Sequence, residues 1–427
     1  MDVAAAPAAY RARALGDTAL VAALDSMGAG PTLPTTGPAD TGLVWSTWSL
    51  AHAAWVLSPE RARLAAEVRV AEAHVDAFGG RPMPGVQGQL ERAFSGQDGS
   101  SPWALQLSGL FTLELGGKNG ARIALAEAGV FTARARGDEV AWARLHEARR
   151  LLVDRIAAAR EHDAAVAVGQ LVGEVLALTE RQYREGSIGR AELVRASAER
   201  DASVADLGDA RQRVEEADAA LRELFGLAPP VTGLADVEPL PRCGYEEPAE
   251  SAREAALTRR PELARVLAEY QEAEGQVRLA AAESWPDLQL GPGLFYDHGV
   301  GKWTIGFGSP SLPFNYRGPL REALAAREVA ATRVAETQVA VLAEVDGALL
   351  RCTSARGAEQ ELQFLARGAG AQEEAARAAV ERGEASPVVL LQARLASARW
   401  QQRIALAEHR LALARLALDR ATASWTP

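Results

Sequence analysis

The sequence has few aromatic residues, only two cysteines and no long apolar run. Aromatic residues make up 6% of its 427 residues. Alanine is abundant, which favours long helices packed closely through small side chains. Cys243 and Cys352 lie far apart and fit no metal-binding or redox spacing, so we expect no disulfide framework. No segment reaches 18 uninterrupted apolar residues, which excludes a transmembrane helix.

Concentrated positive charge and catalytic motifs are also missing. The formal net charge is −10 at pH 7, which disfavours nucleic acid as a partner. The six histidines form no HxxxH, HExxH or mixed Cys/His spacing, and there is no Walker loop, GxSxG elbow or dinucleotide fingerprint. We therefore expect a protein that is not an enzyme, with no cofactor and no tight metal site.

The opening residues, MDVAAAPAAYRARALGD, contain no hydrophobic segment of the signal-peptide type. Taken alone, this absence favours the cytosol. The same sequence would remain after a leader had been removed, and membrane β-strands carry only a weak hydropathy signal. The compartment therefore stays open at this point.

The most informative feature is an internal duplication. Gly186 and Gly383 lie 197 residues apart, and Leu193 and Leu390 repeat that offset. A period this long exceeds a solenoid repeat and indicates that one large module was duplicated. We divide the chain into an N-terminal extension and linker (1–44), a first repeat (45–226), a Pro/Gly-rich linker (227–250) and a second repeat (251–425).

Each repeat contains a long proline-free tract, 121–184 in the first and 320–382 in the second. A continuous helix of that size would extend about 95 Å. A glycine-containing turn and a shorter segment with apolar residues at seven-residue steps follow each tract, which is typical of coiled-coil packing. The pattern predicts two helical hairpins, at about 118–226 and about 319–423.

The predicted tips of these hairpins lie at Glu185–Gly189 and Gly383–Pro387. Glycine suits such a tight turn because it adopts positive φ at low cost. Ser187 and Ser386 are candidate N-caps of the returning helices.

Shorter segments before each helical hairpin alternate with period two. The run WALQLSGLFTLEL (103–115) has leucine or an aromatic residue at most odd positions and polar residues at most even ones. The second half repeats this pattern less regularly. We predict one β-hairpin at about 84–115 and another at about 286–314, four strands in all.

An apolar face opposite a polar face is typical of membrane barrel strands, and Trp103, Trp285 and Trp303 suit the aromatic girdle. Four strands cannot close a barrel, and an unpaired backbone group in lipid costs several kcal/mol. Other copies would have to complete the cylinder, and three copies would supply twelve strands. The alternative is one sheet in water, favoured by Arg92 on the apolar face and Pro292 within a strand.

Several motifs in register resemble the TolC-type outer-membrane efflux channels, from about Trp45 to Trp425. LFTLELGGKNGARIALAEA (110–128) resembles the strand-to-helix passage, and its ELGGK wording is closest to the heavy-metal (cobalt–zinc–cadmium, Czc-type) branch. YREGSIGRAELVRASAE (183–199) and VERGEASPVVLLQARLASA (380–398) resemble the family's two helical-hairpin tips. ALRELFGL (220–227) resembles the end of the family's first returning helix.

The resemblance implies a mainly α fold with a membrane β part. Three copies would form a twelve-stranded pore in outer-membrane lipid and a periplasmic α-barrel of twelve helices. The implied function is the passive exit channel of a tripartite (RND-type) efflux pump, with a periplasmic adaptor and an inner-membrane transporter as partners and heavy-metal cations as cargo.

Adaptor hairpins dock at the tips in this family. The resemblance carries that role to Gly186, Ser187, Ile188, Gly189, Leu193, Gly383, Ser386, Pro387 and Leu390. Rings of carboxylates favour cations in a pore, so the candidate gate acids near the tips are Glu180, Glu185 and Glu381.

Two alternatives remain. A periplasmic adaptor also carries a helical hairpin, but ordinarily one hairpin flanked by small β domains. A soluble periplasmic or cytosolic coiled-coil scaffold would explain the missing leader, but not the alternating strands.

Overall fold

The structure of the chain is a computed structural model. It describes residues 18–28, 46–78, 83–92, 94, 103–226, 241–244, 248–297, 300–309 and 317–424. Most of the predicted N-terminal extension and of the linker between the repeats lies outside these residues.

Nine helices and four strands are formed within the described residues. In chain order they are α1 (Thr18–Ser26), α2 (Thr47–Leu57), α3 (Pro59–Phe78), β1 (Gly85–Arg92), β2 (Trp103–Leu113), α4 (Lys118–Arg184), α5 (Arg190–Phe225), α6 (Ala249–Arg259), α7 (Pro261–Ala282), β3 (Leu288–Asp297), β4 (Val300–Gly308), α8 (Arg317–Glu381) and α9 (Pro387–Thr422). The fold is therefore mainly helical, and the two proline-free tracts are the helices α4 and α8. Each long helix ends beside a glycine and is followed by a returning helix.

The four strands form one antiparallel sheet in the order β1-β2-β3-β4. The first hairpin ends at Leu113 and the second begins at Leu288. The two hairpins, far apart in sequence, thus meet through the pairing of β2 with β3, where Leu107 lies opposite Leu294. The prediction of four strands is confirmed. The outer edges of this sheet, along β1 and β4, have no partner strand among the described residues.

The chain divides into two compact units that do not follow the sequence repeats. The sheet unit comprises the described parts of 62–139 and 261–339, and the helical unit comprises those of 1–61, 140–260 and 340–427. Each unit takes residues from both halves of the duplication. The boundaries proposed from the sequence remain predictions about repeats and do not describe compact bodies.

The core of the helical unit includes a helix from the N-terminal extension, to which the sequence assigned no role. Leu20 and Leu24 of α1 are buried with Leu50, Leu152 and Phe225. Burial of a leucine side chain contributes about 1.5–3 kcal/mol. The extension therefore contributes to the core through α1.

The expectation of no disulfide framework is wrong, because Cys243 and Cys352 are joined by a disulfide bond. Their Cα atoms lie 5.9 Å apart, within the usual range for a cystine. The two residues are separated by 109 positions, so folding brings them together and no local spacing pattern reveals it.

Of the helices that the structure describes, none is both long enough and apolar enough to cross a membrane.

Candidate functional site: the sheet and the hairpin tips

The turn that joins β2 to α4 depends on two consecutive glycines. Gly116 and Gly117 both have φ of +73°, in the region that glycine adopts at low cost. A Cβ atom on Gly116 would lie 2.7 Å from Cδ1 of Trp285 and 2.8 Å from the carbonyl oxygen of Ala282. A Cβ atom on Gly117 would meet nothing within 4 Å. Gly116 is therefore required for its size as well as its conformation.

Two ion pairs hold the same turn. Lys118, which is only 9% exposed, donates from Nζ to Oδ1 of Asp287 at 2.7 Å, and Arg122 pairs with Glu114. Removing one partner of a buried pair leaves an uncompensated charge, which is strongly destabilising. The ELGGK motif therefore specifies the structure of a strand-to-helix turn.

One face of the sheet is apolar and exposed. Its rows run across the strands as Leu90–Leu105–Tyr296, Leu107–Leu294–Trp303 and Phe111–Leu290–Phe307. The exposed fraction reaches 65% for Leu294, 72% for Trp303 and 81% for Phe307. A contiguous exposed patch of this kind marks contact with another molecule or with lipid. We call these nine residues the apolar sheet face.

The opposite face of the sheet is polar and carries small residues. Gln89 and Gln106 pair across β1 and β2 in one row, and Ser108 pairs with Gly293 in the next. A Cβ atom on Gly293 would lie 3.0 Å from Cβ of Ser108. The two faces thus differ in chemistry in the way that the period-two pattern predicts.

The two features that favoured a sheet in water are accommodated locally. Arg92 is the last residue of β1, and its guanidinium carbon lies 5.4 Å from the ring centroid of Trp103, so its charge is at a strand end. Pro292 lies at an interruption of the β2–β3 ladder. Ser108 pairs with Gly293 and Phe111 pairs with Leu290, and the positions between these two pairs do not pair. Proline has no N–H to donate and is tolerated at such an interruption.

The first hairpin tip ends α4 with a Schellman motif. The N–H of Gly186 donates to the carbonyl of Tyr183 at 3.0 Å, and the N–H of Ser187 donates to the carbonyl of Gln182 at 2.9 Å. Gly186 has φ of +72°, as the motif requires. The candidate cap Ser187 does not cap α5: its hydroxyl donates back to the carbonyl of Gln182 at 2.8 Å, and Gly189 is the N-cap.

The second tip repeats the same turn with a better start for its returning helix. Gly383, with φ of +73°, donates to the carbonyl of Val380 at 3.0 Å, and Glu384 donates to that of Ala379 at 2.8 Å. Ser386 is the N-cap of α9, and its hydroxyl accepts from the N–H of Val388. Pro387 occupies the first helical turn, where its missing N–H costs nothing.

The predicted docking and gate residues are surface residues of the two tips. Ile188, Leu193 and Leu390 are half-buried, and the other six docking candidates are exposed. Glu180, Glu185 and Glu381 are all exposed as well. Within the described part of the chain, none of these three carboxylates lies within ion-pairing distance of a basic side chain. The structure places the acids near their tips and assigns them no role.

A cluster of charged groups joins α4, α5 and α9 inside the helical unit, and no local sequence pattern indicates it. Nε2 of His409 lies 2.9 Å from Oδ1 of Asp154, and Nδ1 lies 3.8 Å from Glu161, which Arg213 contacts at 2.5 Å. The hydrogen bond to Asp154, followed by the nearby carboxylate of Glu161, raises the pKa of His409 to about 9. The nearby imidazole of His409, followed by the hydrogen bond from Arg213, lowers the pKa of Glu161 although burial opposes it.

The sequence matches one protein family over most of its length. Residues 50–227 and 252–424 match the family described as outer membrane efflux protein. The chain belongs to the outer membrane efflux protein family. Members of this family are outer-membrane channels of tripartite efflux pumps, in which they work with an adaptor and an inner-membrane transporter. They are not enzymes.

Solved structures of such channels share the fold. The outer membrane protein VceC of Vibrio cholerae superposes with a TM-score of 0.67 at 18% identity, over 88% of this chain and 95% of that one. The CmeC outer membrane channel of Campylobacter jejuni gives 0.68 at 16% identity, over 88% and 85%. CusC, whose structures show conformational changes that accompany folding and transmembrane channel formation, gives a TM-score of 0.69 at 16% identity, over 88% of this chain and 92% of that one. No curated protein matches the sequence significantly.

Proposed function

We propose that this outer membrane efflux protein is the passive exit channel of a tripartite pump, working as a homotrimer. Three chains would contribute four strands each to a twelve-stranded barrel and their long helices to a periplasmic barrel. The apolar sheet face carries this proposal, because eight of its nine residues are exposed in the single chain and Leu290 is half-buried.

The sheet edges support the same assembly. Strands β1 and β4 pair on one side only within the described residues. In a bilayer the unpaired N–H and C=O groups of those edges must be satisfied by other strands. Pairing β4 of one copy with β1 of the next satisfies both edges, and closure needs no other protein.

The hairpin tips are the proposed adaptor-docking sites. Each tip presents a glycine of positive φ and a half-buried leucine, Leu193 in the first and Leu390 in the second, on the first turns of the returning helix. Such apolar positions beside a rigid turn suit the insertion of a helical hairpin from an adaptor.

The cargo we propose is a heavy-metal cation, in keeping with the ELGGK wording of residues 114–118. Rings of Glu180, Glu185 and Glu381 in a trimer would concentrate cations near the tips. Among the described residues there is no group of three or more metal-binding side chains, so the cation would pass through the channel without a tight site.

The assembly is tested by expressing the chain with a leader, separating outer membrane from inner membrane and cytosol, and measuring native mass in mild detergent. We expect about 136 kDa of protein, three chains of 45.2 kDa, in the outer-membrane fraction. A monomer that stays soluble without detergent would overturn the proposal and favour a soluble scaffold.

Docking is tested with Leu390→Gln, and Val204→Gln serves as the matched control because Val204 is an exposed apolar residue within α5. We expect Leu390→Gln to reduce efflux while the amount of channel in the outer membrane stays unchanged. Equal efflux in the two variants would remove the docking role from Leu390.

The gate acids are tested by single-channel conductance of the Glu180→Gln, Glu185→Gln and Glu381→Gln variants. Asp209→Asn, which removes an exposed acid within α5, is the control. We expect the three variants to lose cation preference and the control to keep it. Unchanged conductance and selectivity in all three would exclude the gate.

A further inference from the structure

Residues 241–244, between the two repeats, contact the second helical hairpin through a disulfide bond, ion pairs and a hydrogen bond. Cys243 is joined to Cys352 of α8 by the disulfide. Arg242 contacts Glu408 of α9 at 2.8 Å and Glu359 of α8 at 3.5 Å. We call residues 241–244 the connector strap.

The strap lies along one face of α8. Cys352, Arg356 and Glu359 follow one another at spacings of four and three residues, which places them on one side of a helix. Arg356 donates from Nη1 to the carbonyl oxygen of Gly244 at 3.3 Å. Each of these three side chains thus contacts the strap, and Cys352, at 5% exposure, is buried there.

The strap also ties this face to two other helices. Glu408 of α9, which Arg242 contacts, is 3.4 Å from Arg160 of α4, and Leu411 of α9 presents its carbonyl oxygen 3.9 Å from Sγ of Cys243. A covalent bond here therefore fixes the strap at a level where helices of both hairpins are linked by ion pairs.

We propose that Cys243 and Cys352 form an oxidative modification site that closes the connector strap after export. This inference rests on the proposed outer-membrane function, because a disulfide persists in the oxidising periplasm and is rare in the cytosol. Cys243 is only half-buried, so it is the thiol that an oxidant reaches first.

The chemistry is thiol–disulfide exchange with an oxidising dithiol protein of the periplasm. The Cys243 thiolate attacks the disulfide of that protein, forming a mixed disulfide and releasing one of its thiols. The Cys352 thiolate then attacks the sulfur of Cys243, forming the cystine and releasing the second thiol. Two electrons and two protons pass to the oxidant, which leaves as a dithiol.

The modification is tested on the full chain carrying a leader, acid-trapped from cells, denatured and alkylated with or without prior reduction. We expect mass spectrometry to find no alkylated cysteine before reduction and two after it, with a peptide containing Cys243 linked to one containing Cys352. Alkylation of both cysteines before reduction in most chains, or linkage only between separate chains, would overturn the inference.

The strap itself is tested by native tryptic cleavage after Arg242. We expect reduction of the wild type, or the Cys243→Ser substitution, to speed this cleavage by about tenfold or more, since a transiently opened segment is cut in proportion to its open population. An unchanged rate in both would show that the disulfide does not hold the strap.

Fractionation of the same cells separates this inference from the proposed function. Oxidised chains that are absent from the outer membrane would contradict the channel and leave the modification site standing. Assembled outer-membrane trimers with two free thiols per chain would support the channel and contradict the modification site.

Discussion

The sheet unit and the helical unit use apolar side chains in opposite ways. In the helical unit Leu24, Leu152 and Phe225 are fully buried, and even the charged Asp419 is inside, 2.8 Å from Arg415. In the sheet unit Leu294 and Phe307 are largely exposed. The helical unit thus has an apolar core covered within the chain, although some residues on its surface, such as Val204 and Phe364, stay exposed. The sheet instead leaves one contiguous apolar face for its surroundings to cover.

The difference follows from the period of each pattern. Apolar residues at helical spacing form a stripe that neighbouring helices cover. Alternation in a strand places every second side chain on the same face, and a single four-stranded sheet with one apolar face needs something to cover that face. The four predictions below test this contrast, beginning with the largest expected effect.

The strand-to-helix turn is the part of the sheet unit most sensitive to substitution. Gly116→Ala combines positive φ with an overlap against Ala282 and Trp285, and we expect a loss of about 3–5 kcal/mol. Gly117→Ala has the same φ and open space around it, so we expect only about 1–2 kcal/mol. The amount of assembled channel in the outer membrane measures both, and equal losses would mean that the overlap is relieved.

The two faces of β2 are compared by placing arginine at neighbouring positions. Leu107→Arg puts a charge on the apolar sheet face and costs about 2–4 kcal/mol if that face meets the middle of the bilayer. Gln106→Arg puts the same charge on the polar face, and we expect nearly no loss. The temperature at which the trimer dissociates in detergent measures the effect of both substitutions. A larger loss of stability for Gln106→Arg than for Leu107→Arg would reverse the assignment of the faces.

The charged cluster makes the helical unit sensitive to alkaline pH. The pKa of His409 is raised from 6.5 to about 9. The contribution of protonated His409 to the free energy of unfolding is therefore complete below pH 6.5 and is lost as the pH rises through 9. That contribution is at most about 3 kcal/mol.

Denaturant unfolding of the wild type and of His409→Gln between pH 6 and about 10 measures this loss. We expect the wild type to lose stability above pH 6.5 and the variant to lose much less. Parallel curves would mean that His409 has an ordinary pKa in the folded chain.

The caps of the hairpin tips should give the smallest effects. Ser386→Ala removes the N-cap of α9 and costs about 1 kcal/mol. Ser187→Ala leaves Gly189 as the N-cap of α5, so we expect less than about 0.5 kcal/mol. Hydrogen exchange in the first turns of α5 and α9 reports each cap separately, and the opposite order would restore Ser187 as a cap.

Features set by local periodicity could be predicted from the sequence. Four strands and two long helices were expected from alternation and from proline-free tracts, and the glycines at both tips were placed in turns. The family resemblance is confirmed at the level of outer membrane efflux proteins. The Czc-type branch, the trimer and the roles of the tip residues stay predictions.

Features that depend on long-range contacts could not be predicted. The disulfide joins residues 109 positions apart, and His409 contacts Asp154 across 255 positions. The packing of α1 through Leu20 and Leu24 also requires a partner core that no local pattern describes. Ser187 was misassigned because a serine beside a turn can bond to either the preceding or the returning helix.

The central claim, that the apolar sheet face contacts lipid, is tested most directly by a label scan along β2 of the assembled channel. Spin labels would be attached one at a time to an introduced keto amino acid at each position from 103 to 113, so that Cys243 and Cys352 are left in place. We predict that a lipid-soluble paramagnetic reagent speeds the relaxation of spin labels at odd positions. A water-soluble paramagnetic reagent should do the same at even positions. Loss of this alternation, or its reversal, would contradict the account.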